Sequence, residues 1–135
     1  MKNKITLEML PAFQGVIPAT IATLSQEGTP NVTYISQVFY IDESHLAISN
    51  QFFNKTWKNI QANPKFAIAL TCPETSILWK LELEFIDEQK EGEVFDEMDM
   101  MIEAINSMFR NQTPFKLQSA LICRILQIKN IHPNE

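Results

Sequence analysis

The sequence predicts a mainly β protein, a closed antiparallel barrel of six strands flanked by helices. Three observations carry that expectation. Short runs rich in Val, Ile, Thr, Tyr and Phe recur between compact turn signals. The run from Ile77 to Phe85 alternates apolar and polar residues with period two. Helical spacing interrupts the pattern briefly after Asn54 and at length over residues 92 to 109. Strands joined by short turns hide their edges most completely by closing on themselves.

In chain order, Thr6 is placed to cap a single helical turn that Pro11 stops. The small and β-branched residues from Ile17 to Leu24 form the first strand. The stretch from Ser25 to Pro30 is turn chemistry: Gly28 is free to take positive φ, and Pro30 bars continued pairing. Val32 to Ile41 is the return strand of a hairpin, Asp42 to Ser44 the next turn, and His45 to Ser49 a third strand. Asn54 is a good N-cap for a short helix carrying Trp57 and Ile60, which Asn63 and Pro64 end.

Phe66, Ile68 and Leu70 mark the fourth strand. In the fifth, Ile77, Trp79, Leu81, Leu83 and Phe85 face one way, and Lys80, Glu82 and Glu84 the other. Phe95, Met98, Met101, Ile102, Ile105 and Phe109 recur at helical spacing in the long helix, with Asp96, Glu97, Asp99 and Glu103 mostly off that stripe. A last strand runs from about Ser119 to Ile128.

The 135 residues suit one domain, residues 1–135, without internal repeats. A chain of this length buries roughly two-thirds of its unfolded surface and needs no covalent staple. A net charge of −5 argues against nucleic acid as a partner. Cys72 and Cys123 are the only cysteines; with His45 and His132 as the only histidines, there is no metal-ligand cluster at recognisable spacing. Both cysteines are expected as buried thiols in a reducing compartment. With neither a secretory signal nor an apolar run long enough to span a bilayer, the expected location is cytoplasmic, away from membranes.

Chemistry concentrates between Ser49 and Pro64. There a strand leads through a polar loop into a helix that opens Asn54-Lys55-Thr56. Free backbone N–H groups and the positive end of the helix dipole converge at such a start. An ammonium from Lys55 and a hydroxyl from Thr56 would complete a phosphate cradle, although a capped helix with two solvated side chains has the same sequence. No Ser-His-Asp or Cys-His arrangement stands out. His132 and the acidic helix face are expected to be solvated.

Asn50, Lys55-Thr56, Asn59-Ile60 and Asn63-Pro64, following Thr-Pro-Asn-Val-Thr-Tyr at 29 to 34, together resemble the FMN-binding split-barrel family of pyridoxamine 5'-phosphate oxidase-like proteins. The likeness runs from Pro18 to Ile128. It implies a six-stranded antiparallel split barrel and a homodimer with FMN at the interface. Lys55 and Thr56 match positions that hold the flavin phosphate. Thr33, Tyr34, Ile35 and Ser36 match the strand whose backbone lies along the isoalloxazine, and Ser49 and Asn50 match the strand end beside the ribityl chain. The side chains of Tyr34 and Ile35 can equally be barrel core.

Two departures qualify the likeness. Asn54 stands where many relatives place an Arg, and the chain closes Ile-His-Pro-Asn-Glu, without the basic, Trp-bearing C-terminal extension of true pyridoxamine 5'-phosphate oxidases. The expected activity is therefore a flavin-dependent oxidoreductase other than that oxidase, with a small-molecule electron donor or acceptor and unassigned catalytic residues. A non-catalytic flavin carrier or redox sensor is the alternative, and a barrel that has lost flavin a third. Dimerisation is expected through Val38, Phe39, Tyr40 and the Met-rich helix.

Overall fold

In the computed structural model, which describes residues 3–35, 37–50, 54–109 and 116–131 (without the side chains of Ile105 and Phe109), the chain opens with a 3-10 helix, Leu7–Gln14. Thr6 precedes it but gives no side-chain cap, and Pro11 lies inside it rather than ending it. A 3-10 turn loses only one bond to a proline, whose fixed φ it tolerates. The helix stops instead at Gly15, which takes a left-handed φ of 77°.

Strand β1 (Ala19–Leu24) and β2 (Pro30–Ile35) form the predicted hairpin, in register from Ala19 opposite Ile35 to Leu24 opposite Pro30. Gly28 supplies the positive φ at its turn. Pro30 starts β2 instead of barring it, as an edge strand allows at its first residue. Then follow β3 (Val38–Asp42), β4 (His45–Asn50), helix α1 (Lys55–Ala62), β5 (Lys65–Thr71), β6 (Leu78–Gln89), helix α2 (Glu93–Phe109) and β7 (Ser119–Ile131). All pairings are antiparallel, and the sheet order is β2-β1-β5-β6-β7-β4-β3.

The expected six-stranded closed barrel is thus corrected to seven strands in an open sheet. The stretch read as one strand, Val32 to Ile41, is two: β2 pairs with β1, and β3 pairs with β4 at the opposite edge. Side-chain parity gives the reason. In an unbroken strand Ile35 and Val38 would point to opposite faces, yet both are buried in the same core. No single strand can run through both, and between them the chain moves from one edge of the sheet to the other.

Because those two edge strands are consecutive in sequence, the sheet must curl enough to bring the end of β2 near the start of β3. Accordingly, every strand contributes to one core, with Ile21, Ile35, Val38, Leu46, Ile68, Leu81 and Leu121 all inside it. Register shifts in the β6–β7 ladder, at Glu82/Leu83 and Phe85/Asp87, supply bends of the kind that let long strands wrap. Glu84 and Arg124, opposite one another there, form an ion pair.

Helix α2 covers the other face of β4 and β7, where Met98, Ile102 and Leu117 pack on Ala47, Ala120 and Ile122. Met98 and Ile102 follow the predicted stripe, whereas Met101 is exposed. Part of the surface expected to drive dimerisation is used within the chain. Val38 is core, Phe39 packs beneath α2, and Tyr40 meets Phe13 edge to face at 6.1 Å. Met100, Met101 and Met108 of α2 remain exposed, as do Leu24, Val32 and Tyr34 on β1 and β2.

Both cysteines are free and buried. Burial pushes the Cys123 thiol far up. Hydrogen bonds from the Thr75 side chain and backbone draw Cys72 down despite its burial. A thiol reagent should therefore label neither quickly in the native protein. With rising denaturant Cys72, at the end of β5, should react before Cys123, which requires the core to open. Rapid native labelling of Cys123, read by mass spectrometry, would contradict the packing described.

Candidate functional site

Helix α1 is short, and its position comes mainly from polar contacts with the β1–β2 hairpin. Ile60 anchors it in the core, and Trp57 stands edge to face on Phe85 at 5.4 Å. Its hairpin-facing side carries Thr56, Asn59 and Asn63, three and four residues apart and so on one face. Asn31 Nδ2 donates to Thr56 Oγ1 at 3.1 Å, and Asn59 Nδ2 donates to Thr23 Oγ1 at 3.1 Å. Asn63 Nδ2 donates to the carbonyls of Leu24 and Ser25 at 3.1 and 2.9 Å. Asn31 and Thr23 are themselves opposite one another in the hairpin, so helix and hairpin are cross-braced.

At the helix start, Asn54 precedes Lys55 but makes no side-chain cap, contrary to the reading from sequence. Asn54 thus does not occupy the first-turn N–H groups, and the positive end of a helix favours an anion. Lys55 is exposed beside it, while Thr56 is only 4% exposed.

The other predicted site residues belong to the same region. Asn31, bonded to Thr56, begins the segment of β2 that continues through Thr33, Tyr34 and Ile35. Just beyond it, the Gln37 carbonyl accepts from Ser49 N at 3.1 Å and from Ser49 Oγ at 3.3 Å. The next residue of β4, Asn50, donates to Ser119 Oγ at 3.1 Å, and four residues further the chain reaches Asn54. The segment from Asn31 to Gln37 is therefore tied at one end to the mouth of α1 and at the other to the end of β4. Its strand part, from Asn31 to Ile35, spans about 13 Å at strand rise.

Within this frame Thr33 is half-buried, Tyr34 is exposed, Ile35 is core, and Ser49 and Asn50 are buried. Ser36 lies outside the described residues, as do 51–53. Tyr34, with a relative exposure of 70%, is not part of the core.

Two buried polar atoms here have no partner among the described residues: Asn50 Oδ1 and Gln37 Oε1. Such atoms are costly unless something satisfies them. Sequence reasoning did not single out Gln37 or Thr23, and Asn31 entered only within the motif at 29 to 34, without a role. The helical spacing of Thr56, Asn59 and Asn63 was an available signal for a polar, docked face. No group of His, Cys, Asp and Glu suited to a metal occurs among the described residues, and no described helix is long and apolar enough to cross a membrane.

A curled antiparallel sheet capped by helices, with a helix mouth held against one edge strand, is a split-barrel-like architecture. The chain belongs to the pyridoxamine 5'-phosphate oxidase family, which residues 5–113 match. It is 28% identical over 131 residues to an uncharacterized protein of Methanocaldococcus jannaschii, covering 95% of this chain and 81% of that protein. Among solved structures it resembles an FMN-binding protein from Syntrophomonas wolfei, with TM-score 0.74, 20% identity and coverage of 92% and 86% of the two chains. It also resembles HupZ of Group A Streptococcus, with TM-score 0.73, 21% identity and coverage of 96% and 95%. At these identities the structural likenesses establish the fold.

Proposed function

We propose that this protein binds FMN and acts as a flavin-dependent oxidoreductase on a small molecule, as a cytoplasmic homodimer. The observation that carries the reading is the frame around β2, tied to the helix mouth at one end and to β4 at the other. Lys55 and Thr56 take the phosphate at the helix start. The backbone of Thr33, Tyr34, Ile35 and Ser36 follows the isoalloxazine, and Ser49 and Asn50 flank the ribityl chain.

Two structural features support the assignment. β2 lies at one end of the strand order, so one side of its backbone has no ladder partner among the described residues and can bond a heterocycle's polar edge. Asn50 Oδ1 and Gln37 Oε1 are acceptors that the hydroxyl and imide donors of a flavin would satisfy. Bound flavin supplies the electron transfer, and the protein supplies grip, orientation and exclusion of water. The second subunit is supported by the apolar face at Leu24, Val32 and Tyr34, beside a groove of about 310 Å³ over Ala22, Ala67 and Lys80.

The amides and hydroxyls that dominate the site favour one second reading, a flavin carrier without turnover of its own. Purification after dialysis against FMN separates the cases. A yellow protein of twice the 15.5 kDa chain mass, oxidising a nicotinamide donor faster than free FMN does, is the expected result. A colourless protein sinks the flavin assignment, and a yellow one without turnover supports the carrier. A monomer with FMN present contradicts the dimer.

A further inference from the structure

The polar brace between α1 and the hairpin contains one rung unlike the others. Asn59 and Asn63 reach back from the body and end of the helix, but Asn31 reaches forward to its first turn. It donates to the Oγ1 of Thr56, and that changes what the hydroxyl can do. A threonine hydroxyl has one proton and two lone pairs. With Asn31 Nδ2 on a lone pair at 3.1 Å, the proton is left to be given elsewhere. A threonine deep in a helix would give it to the carbonyl one turn earlier. Thr56 is the second residue of α1, so the positions three and four before it precede the helix.

We propose that Asn31 is a positioning residue for phosphate recognition: by donating to Thr56 it sets that hydroxyl as a donor at the mouth of α1. The inference rests on the FMN reading above and extends it to a residue that touches no part of the cofactor. Asn31 is itself fixed opposite Thr23, whose hydroxyl accepts from Asn59, so the orientation of the Thr56 hydroxyl is held by the sheet. The second rung, Thr23 to Asn59, is buried and away from the first turn; it stabilises the docking without setting a donor.

Fluorescence titration with FMN and with riboflavin, which lacks the phosphate, tests the assignment without any turnover assay. Asn31→Asp keeps the side-chain shape but can only accept, so it draws the Thr56 hydroxyl into donating to it and sets a negative charge beside the phosphate. It should weaken FMN binding at least about tenfold while riboflavin stays within about threefold. Asn31→Ala should lower the FMN-to-riboflavin affinity ratio less, and should change nothing further once Thr56 is Ala. Thr23→Ala should lower the melting temperature and leave the ratio unchanged.

Equal losses for FMN and riboflavin in the Asn31 variants, or additive effects of Asn31→Ala and Thr56→Ala, would overturn the role of Asn31 while the FMN reading stands. Failure of the unaltered protein to bind FMN would remove both. Should Asn31→Asp not fold, Asn31→Ala and its double-mutant cycle decide alone.

Discussion

Lys55→Ala is expected to weaken FMN binding by about tenfold to a hundredfold. A charge-assisted hydrogen bond to phosphate contributes about 1.5–3 kcal/mol, and each 1.4 kcal/mol is about a factor of ten in affinity. The structure puts Lys55 at the first position of α1, exposed, with no side-chain cap competing for the helix mouth. Riboflavin binding should change far less, because its ribityl and ring contacts do not involve this ammonium. Folding stability without ligand should barely move: an exposed Lys at a helix start packs against little, and its charge opposes the dipole there. Lys58 is also exposed but one turn further on, which makes Lys58→Ala the internal control. Equal losses for FMN and riboflavin, or equal effects of the two lysine substitutions, would show that Lys55 is not the phosphate anchor.

The largest expected effect on folding is at Leu81. It is fully buried in the middle of β6, opposite Ile68 of β5 on one side and Ile128 of β7 on the other. Leu81→Ala removes buried methyl groups and leaves a cavity that three paired strands cannot collapse. The cost should be about 2–5 kcal/mol, a large share of the roughly 5–15 kcal/mol that holds a domain together. Lys80→Ala, on the exposed face of the same strand, should stay within about 0.5 kcal/mol. Urea melts monitored by tryptophan fluorescence, with slopes unchanged between variants, provide the comparison. Similar midpoints for the two variants would mean that this face of β6 is not the inside of the sheet.

Alternation in β6 was legible because its period is strict: Trp79, Leu81 and Leu83 are buried, as their spacing requires. Helix α1 likewise ends at Asn63 and Pro64, where the sequence stops it. The break between β2 and β3 was harder to see because Val, Tyr, Ile and Phe favour strand on both sides of it. Its trace is the spacing of three between Ile35 and Val38, which a period-two strand cannot bury together. Asn54 looks like a cap by residue type, but capping depends on a side-chain rotamer that composition does not fix. Lys55 and Thr56 could be read as a phosphate cradle from the helix start, whereas the other candidate FMN residues were named from family likeness. What the sequence could not disclose is that Asn31, at the far end of a hairpin, meets Thr56, because that meeting depends on where α1 docks.

The free side of β2 has a further consequence, for solubility. An edge strand with unpaired backbone groups, carrying exposed Val32 and Tyr34, is a template onto which another extended chain can add. Among the described residues its protective device of the usual kind is Pro30, at the very start of the strand. The opposite edge, β3, is better guarded, since Phe13 of the N-terminal 3-10 helix packs on Tyr40. Whatever leaves β2 bare therefore exposes the chain to strand-by-strand aggregation from that one side, and whatever covers it acts as a chaperone of the folded state.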